Sequence, residues 1–266
     1  MLLATRALPD PAGTARLLDW FSVILNGTAF AALVVGVEML VTKPALAVVL
    51  LATAVVALAL LIRREMQMEA PLIPIDLLRD ASFGVSVIAS ICCFAGVTTG
   101  LLSLSFYLQH ELGQNTLKTG LYMTPWPLTV AIVAPMAGYF ANRVSTAWLC
   151  ALGGICLAAG LALASTWPLH GSLRPLVPLT MLCGLGFGLF QVPNNRNMFL
   201  STPRDRSGAA GGMQATARLT GQTAGGVITG LLFTVASTSA APRAGLAIGA
   251  ALALLAGLVS MLRSRP

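Results

Sequence analysis

Charge is what this sequence has least of. Asp, Glu, Lys and Arg make up only 9% of its 266 residues, while 56% are hydrophobic; an average soluble domain carries about 25% charged residues. That is too little charge to coat a water-exposed surface, and a large soluble catalytic domain is excluded. Carboxylates are scarcer than cations, and none falls at the middle of a long apolar run. The usual proton relay of a coupled transporter, an intramembrane Asp, Glu or His, is therefore missing from this stretch. Enzyme signatures are absent too: there is no nucleotide-binding glycine loop, no HExxH and no nucleophile elbow. The two histidines, His110 and His170, lie in loops without a partner at ligand spacing. The five cysteines (Cys92, Cys93, Cys150, Cys156, Cys183) sit inside apolar runs without metal or redox spacing. No metal site, no cofactor and no disulfide framework is expected.

What remains is hydrocarbon in long runs, with a mean hydropathy of +0.83. A helix needs about 20 apolar residues to cross a bilayer, and eight segments qualify: 20–40, 44–62, 83–109, 119–141, 146–167, 175–197, 210–237 and 243–262. The expected fold is an all-α integral membrane bundle. Residues 1–19 form a cytoplasmic N-terminal segment, 20–62 a pair of spans, 63–82 a charged, proline-bearing cytoplasmic linker, and 83–266 a six-helix domain. Those six could be two inverted triplets, although no strong internal repeat is visible.

The net charge of +7 admits a nucleic-acid partner, but the placement of the cations assigns them to membrane orientation. Eleven arginines (Arg6, Arg16, Arg63, Arg64, Arg79, Arg143, Arg196, Arg204, Arg206, Arg263 and Arg265) fall on one side of the eight spans. Lys43, Lys118, Arg174 and Arg243 fall on the other. Cytoplasmic loops carry the Lys and Arg excess, so both termini are expected in the cytoplasm. Arginine far outnumbers lysine beside abundant Ala and Gly, a composition suited to a GC-rich bacterium and its inner membrane.

Arg218 is the one basic residue inside a span. Gln214, Arg218 and Gln222 follow at i, i+4 and i+8, an inward-facing polar stripe, and Gln191, Asn194 and Asn195 reach a similar depth on the preceding helix. The expectation is a hydrogen-bonded contact between Arg218 and that amide cluster, lining the cytoplasmic side of a cavity. The alternative is an arginine that snorkels to the interface. Tyr107, Gln109, Tyr122 and Trp126 gather toward the outer halves of their helices. Trp126 could wall a substrate, whereas Tyr107 and Tyr122 read as interfacial-belt residues. Pro125, Pro127 and Pro135 predict a kinked helix, and the many helix glycines predict close backbone contacts.

Several passages resemble a known family. Tyr107, Leu108, Gln109, Leu112, Gly113, Gly120 and Pro125 resemble a passage of the major facilitator superfamily, in particular its fourteen-span drug:proton antiporter branch. Gly184, Gly186, Gly188 and Pro193 are similar to that branch's glycine-rich helix. Ser207, Gly208, Ala209, Thr216, Arg218, Gly221 and Gly225 are similar to its next one. The junctions at Asp19–Trp20 and at Pro71, Leu77 and Arg79 fit as well. Gly138, Ala141, Asn142 and Arg143 resemble the family's loop motif, with Asn142 where Asp is usual and Ser145 where Gly is usual. The resemblance implies two extra spans followed by the C-terminal six-helix domain of a permease. It implies efflux of drug-like molecules by alternating access, coupled to protons through an N-terminal six-helix half. The implied partners are the lipid bilayer, a small-molecule substrate and that half; nucleic acid is not among them. The rival reading is a non-transporting, truncated membrane protein acting as a scaffold or partner subunit.

Overall fold

The computed structural model describes residues 20–39, 43–65, 75–167, 173–237 and 240–264. The predicted segment 1–19 and much of the linker lie outside them. The described residues are helical almost throughout. Helices α1 (Trp20–Glu38) and α2 (Pro44–Glu65) form a hairpin, and a 3₁₀ turn (Ile75–Arg79) leads into α3 (Ala81–Phe106). A π turn, Tyr107–Glu111, prolongs α3. Then follow α4 (Thr116–Met123), α5 (Pro125–Phe140), α6 (Thr146–Thr166), α7 (Leu176–Leu200), α8 (Ser207–Val235) and α9 (Ala241–Met261). Five of these helices are long and apolar enough to cross a membrane by length and composition, among them α3 with its π turn.

Local chemistry sets the boundaries. Asp80 accepts the Phe83 N–H at 2.8 Å, Asn115 that of Lys118 at 2.9 Å and Ser145 that of Trp148 at 3.4 Å, each side chain satisfying an orphan donor of the first turn. Gly113, with φ of +62°, makes the reversal after the π turn, in a conformation that a Cβ would strain. The expected span 119–141 is α4 and α5 joined at Thr124, whose backbone stays helical (φ −56°, ψ −36°), with the Thr124 N–H on the Gly120 carbonyl at 2.9 Å and the Leu128 N–H on the Thr124 carbonyl at 3.2 Å. Pro125 and Pro127 supply no backbone donors, so the ladder is thinned at this junction.

The described helices from α3 onward have a two-fold internal order. α3 packs on α8 and α9, while α7 packs on α5 and α6, and α6 packs on α9. Exchanging the triplet α3, α5, α6 for α7, α8, α9 sends each contact into another. Glycines carry this order. A Cβ on Gly153 of α6 would lie 2.6 Å from the Gly186 carbonyl of α7; the matching pair is Gly96 of α3 and Gly249 of α9, at 2.7 Å. Lipid supplies no hydrophobic drive between helices, so such backbone contact is what holds them. Gly221 and Gly225 likewise bring α8 against the α3 carbonyls of Ile91 and Ala95, and the Thr99 hydroxyl donates to the Gly225 carbonyl at 3.2 Å. Gly212, Gly226 and Gly230 meet open space instead.

Candidate functional site

An open, apolar cleft of about 420 Å³ lies between α3, α4, α5 and α7. Val97 and Leu101 of α3 form one wall, Met123, Trp126 and Val130 a second, and Phe187 of α7 a third. Trp126 is buried and stands at the α4–α5 junction. Of the candidate site residues expected from the sequence, Trp126 is the one that lines this cleft, beside Gly120 and Pro127.

Beside Phe187 the cleft meets a chain of rings and charge. Phe187 packs edge-to-face on Phe94 of α3 with centroids 5.6 Å apart. The Arg218 guanidinium of α8 lies over the other side of this pair, 5.5 Å from the Phe94 centroid, within cation–π range. Phe94 is thirteen residues into the 26-residue α3, so the guanidinium is level with mid-helix. This corrects the expected contact. Arg218 is exposed and rests on an aromatic ring, and among the described residues it makes no hydrogen bond to the amide cluster, whose Asn194 is engaged by α3 and Arg263 instead. Helical spacing puts Gln191 and Asn195 on the Phe187 face of α7, both half-buried, with the Asn195 Oδ1 buried and unpaired. Asn194 is one residue off that face and is fully buried against α3. Gln214 and Gln222 are half-buried on the Arg218 face of α8.

Asn194 belongs to a second polar site, which the sequence reading missed. Its Nδ2 donates to the Ser90 hydroxyl at 2.7 Å and to the Ser86 carbonyl at 3.2 Å. Its oxygen accepts from Arg263, just beyond α9. Arg263 also donates to Cys150 Sγ of α6 at 3.7 Å and to the Ser260 hydroxyl at 3.3 Å. Burial, the dominant effect, pulls its pKa below the usual arginine range. One step toward the C-terminal end of α7, Asn197 donates to the hydroxyls of Ser82 and Ser86, each at 2.9 Å. A signal existed: Ser82, Ser86 and Ser90 recur at i, i+4 and i+8 in an apolar helix. The cysteine reading needs one amendment, since Cys150 is a core residue but also the acceptor of an arginine.

Two further expectations change. Tyr107 is no interfacial-belt residue: it is fully buried, its hydroxyl accepts from Arg243 of α9 at 2.9 Å, and Arg243 reaches Glu111 at 3.8 Å. His110 is exposed but stacks on Phe106; His170 and the Glu38 side chain lie outside the described residues. At the loop after α5, Arg196 donates to the Ala141 carbonyl at 2.9 Å and to Asn142 Oδ1 at 2.8 Å. The amide at position 142 thus keeps a directional bond to the arginine without an ion pair.

A many-helix bundle with apolar outer faces, five of its described helices long and apolar enough to cross a membrane, is the build of an all-α integral membrane protein. This chain belongs to the Major Facilitator Superfamily, whose family model matches residues 26–225 and 87–266. It is 38% identical, over 99% of its length, to the uncharacterized transporter YebQ of Escherichia coli (strain K12), covering 58% of that protein. It is 32% identical over 69% of its length to the multidrug resistance protein Stp of Mycobacterium tuberculosis (strain H37Rv), covering 34% of it. Its identity to the multidrug efflux pump LfrA of Mycolicibacterium smegmatis is 25% over 81% of its length, covering 43%. The chain thus spans little more than half of the first relative and less than half of the other two.

Proposed function

We propose that this chain is the C-terminal portion of a drug-efflux permease of the fourteen-span drug:proton antiporter branch, with α1 and α2 as the extra spans and α3 to α9 as the C-terminal domain. It would export drug-like molecules from the cytoplasm by alternating access, together with an N-terminal six-helix half that supplies the proton-carrying carboxylates. The observation that carries this reading is the open cleft walled by Trp126, Phe187, Val97 and Leu101, with Gln191 and Asn195 on the Phe187 face of α7 and Gln214 and Gln222 on the Arg218 face of α8 as the polar groups the reading assigns to it. Apolar walls with a few placed polar groups are the usual build of a small-molecule site. The names of Stp and LfrA support the substrate class, and the partial coverage of all three relatives supports the missing half. The excess of arginine at one end of the helices supports an inner-membrane orientation with both termini in the cytoplasm.

The test is reconstitution in proteoliposomes under an imposed pH gradient, with the chain alone and then with a six-span N-terminal half from a relative. Substrate-stimulated proton flux that requires both halves is the expected result. Flux from neither preparation, with both chains inserted, would overturn the transport reading and favour the scaffold.

A further inference from the structure

The π turn that prolongs α3 is held by a residue of another helix. It closes with the Leu112 N–H on the Tyr107 carbonyl at 3.1 Å; such turns are rare and occur mostly as single-turn bulges, often at functional sites. Arg243, in the first turn of α9, grips this one at its first and last residues. Its Nη2 donates to the Tyr107 hydroxyl at 2.9 Å and lies 3.8 Å from Glu111 Oε1, with the guanidinium 5.4 Å from the Tyr107 ring centroid. Beyond the turn the chain reverses at Gly113, the Gln114 N–H donates to the Leu108 carbonyl at 2.9 Å, and Asn115 caps α4. The turn thus fixes the angle at which α4 leaves α3.

The cleft straddles that turn. Val97 and Leu101 reach it from α3, before the turn, and Gly120, Met123 and Thr124 from the stretch after it. At its far end α4 runs into Pro125 and Pro127, where missing donors thin the ladder and let a helix bend. A tie from α4 to α7, the Thr180 hydroxyl on the Tyr122 carbonyl, is long at 3.5 Å. We infer that Arg243 is a positioning residue for the cleft: through the π turn it sets the place of the α4 wall, so that a side chain of α9 outside the lining controls the width of the opening. The inference rests on reading the cleft as the substrate site.

The full chain in nanodiscs tests this, with Trp126 kept as the only tryptophan (Trp20→Phe, Trp148→Phe, Trp167→Phe) and its quenching by N-phenyl-1-naphthylamine, an uncharged aromatic probe, as the readout. A second chain that keeps Trp148 alone, exposed on α6, reports probe dissolved in lipid. Arg243→Gln is expected to weaken saturable binding at Trp126 roughly tenfold, and Tyr107→Phe to weaken it by less. Arg243→Lys should stay within about twofold of the parent, because both contacts leave from the one nitrogen Nη2 and a single ammonium can replace it. Arg263→Gln, which loosens the other end of the bundle, should also leave the affinity within about twofold, as a distant and independent site. Parent affinity in Arg243→Gln and Tyr107→Phe, no rescue by Arg243→Lys, or equal weakening by Arg263→Gln overturns the positioning role and leaves the cleft standing. Quenching that does not saturate in the parent, or that is matched at Trp148, overturns the cleft and the inference with it. Gel filtration and helicity separate lost binding from lost folding, and if Arg243→Gln does not fold, Tyr107→Phe and Arg243→Lys carry the same contrast.

Discussion

Arg263 and Asn194, 69 positions apart in the chain, share a hydrogen bond that ties the end of α9 to the C-terminal half of α7. Through the other end of the same amide the bond continues to Ser86 and Ser90 of α3, and through the guanidinium to Cys150 of α6. Arg263 and Asn194 together thus join four helices at one end of the bundle. Removing Arg263 leaves a buried amide oxygen without a donor, which costs about 1–3 kcal/mol.

Arg263→Gln should therefore lower thermal stability in detergent, and Arg263→Lys should recover little, because an ammonium cannot fork between Asn194 and Cys150. In a variant whose other four cysteines are Ala, maleimide labelling of Cys150 reports the same event. Slow labelling in the parent and clearly faster labelling in both variants is the expected pattern; unchanged rates would mean that the network does not hold these helices together.

The glycine contacts predict a sharp positional contrast. Gly153→Leu and Gly96→Leu drive side chains into the backbone of α7 and α9, and each should cost on the order of 1–3 kcal/mol or more. Gly226→Ala and Gly230→Ala, at positions with nothing within 4 Å, should be close to neutral. Denaturant titration in mixed micelles compares the four variants directly.

At the opposite end of the bundle, Tyr107→Phe removes one acceptor from Arg243 and should cost about 1 kcal/mol. Arg243→Gln should cost more, because it removes a donor from Tyr107 and a cation from Glu111 together. A double variant that loses no more than Arg243→Gln alone would show by thermodynamic cycle that the two residues act as a unit.

Orientation is open to a direct check. Reporter fusions active only in the cytoplasm should give signal at residue 266 and in the linker near residue 70, and none in the loop near residue 170. Signal from the last of these would reverse the assignment made from the arginine distribution.

Much of the architecture was legible because the membrane imposes simple rules. Apolar length marked the helices, and the interfaces were written in glycines whose spacing forecast backbone contact. The junction between α4 and α5 was visible as Pro125 and Pro127, whose missing backbone donors weaken the helical ladder there. The site was legible in composition and not in pairing. Arg218, Trp126, Gln191 and Asn194 were all recognised as polar or aromatic residues at depth, yet Asn194 and Asn195 are adjacent in sequence and point to different neighbours. A rotation of about 100° per residue on a helix of 3.6 residues per turn sends one to α3 and leaves the other on the Phe187 face. Arg263 looked like an ordinary cytoplasmic anchor because nothing in its neighbourhood along the chain reveals that Asn194 and Cys150 converge on it.

The sequence by itself determined the solvent, the number and length of the apolar runs and the excess of cations at one end, because transfer of side chains and backbone into hydrocarbon depends on local composition alone. Only the tertiary structure decided which polar groups meet, since pairing across helices depends on rotation and register. Those are set by glycine contacts such as Gly153 with Gly186 and Gly96 with Gly249. That register buries Asn194 on Arg263 and leaves Arg218 bare above Phe94.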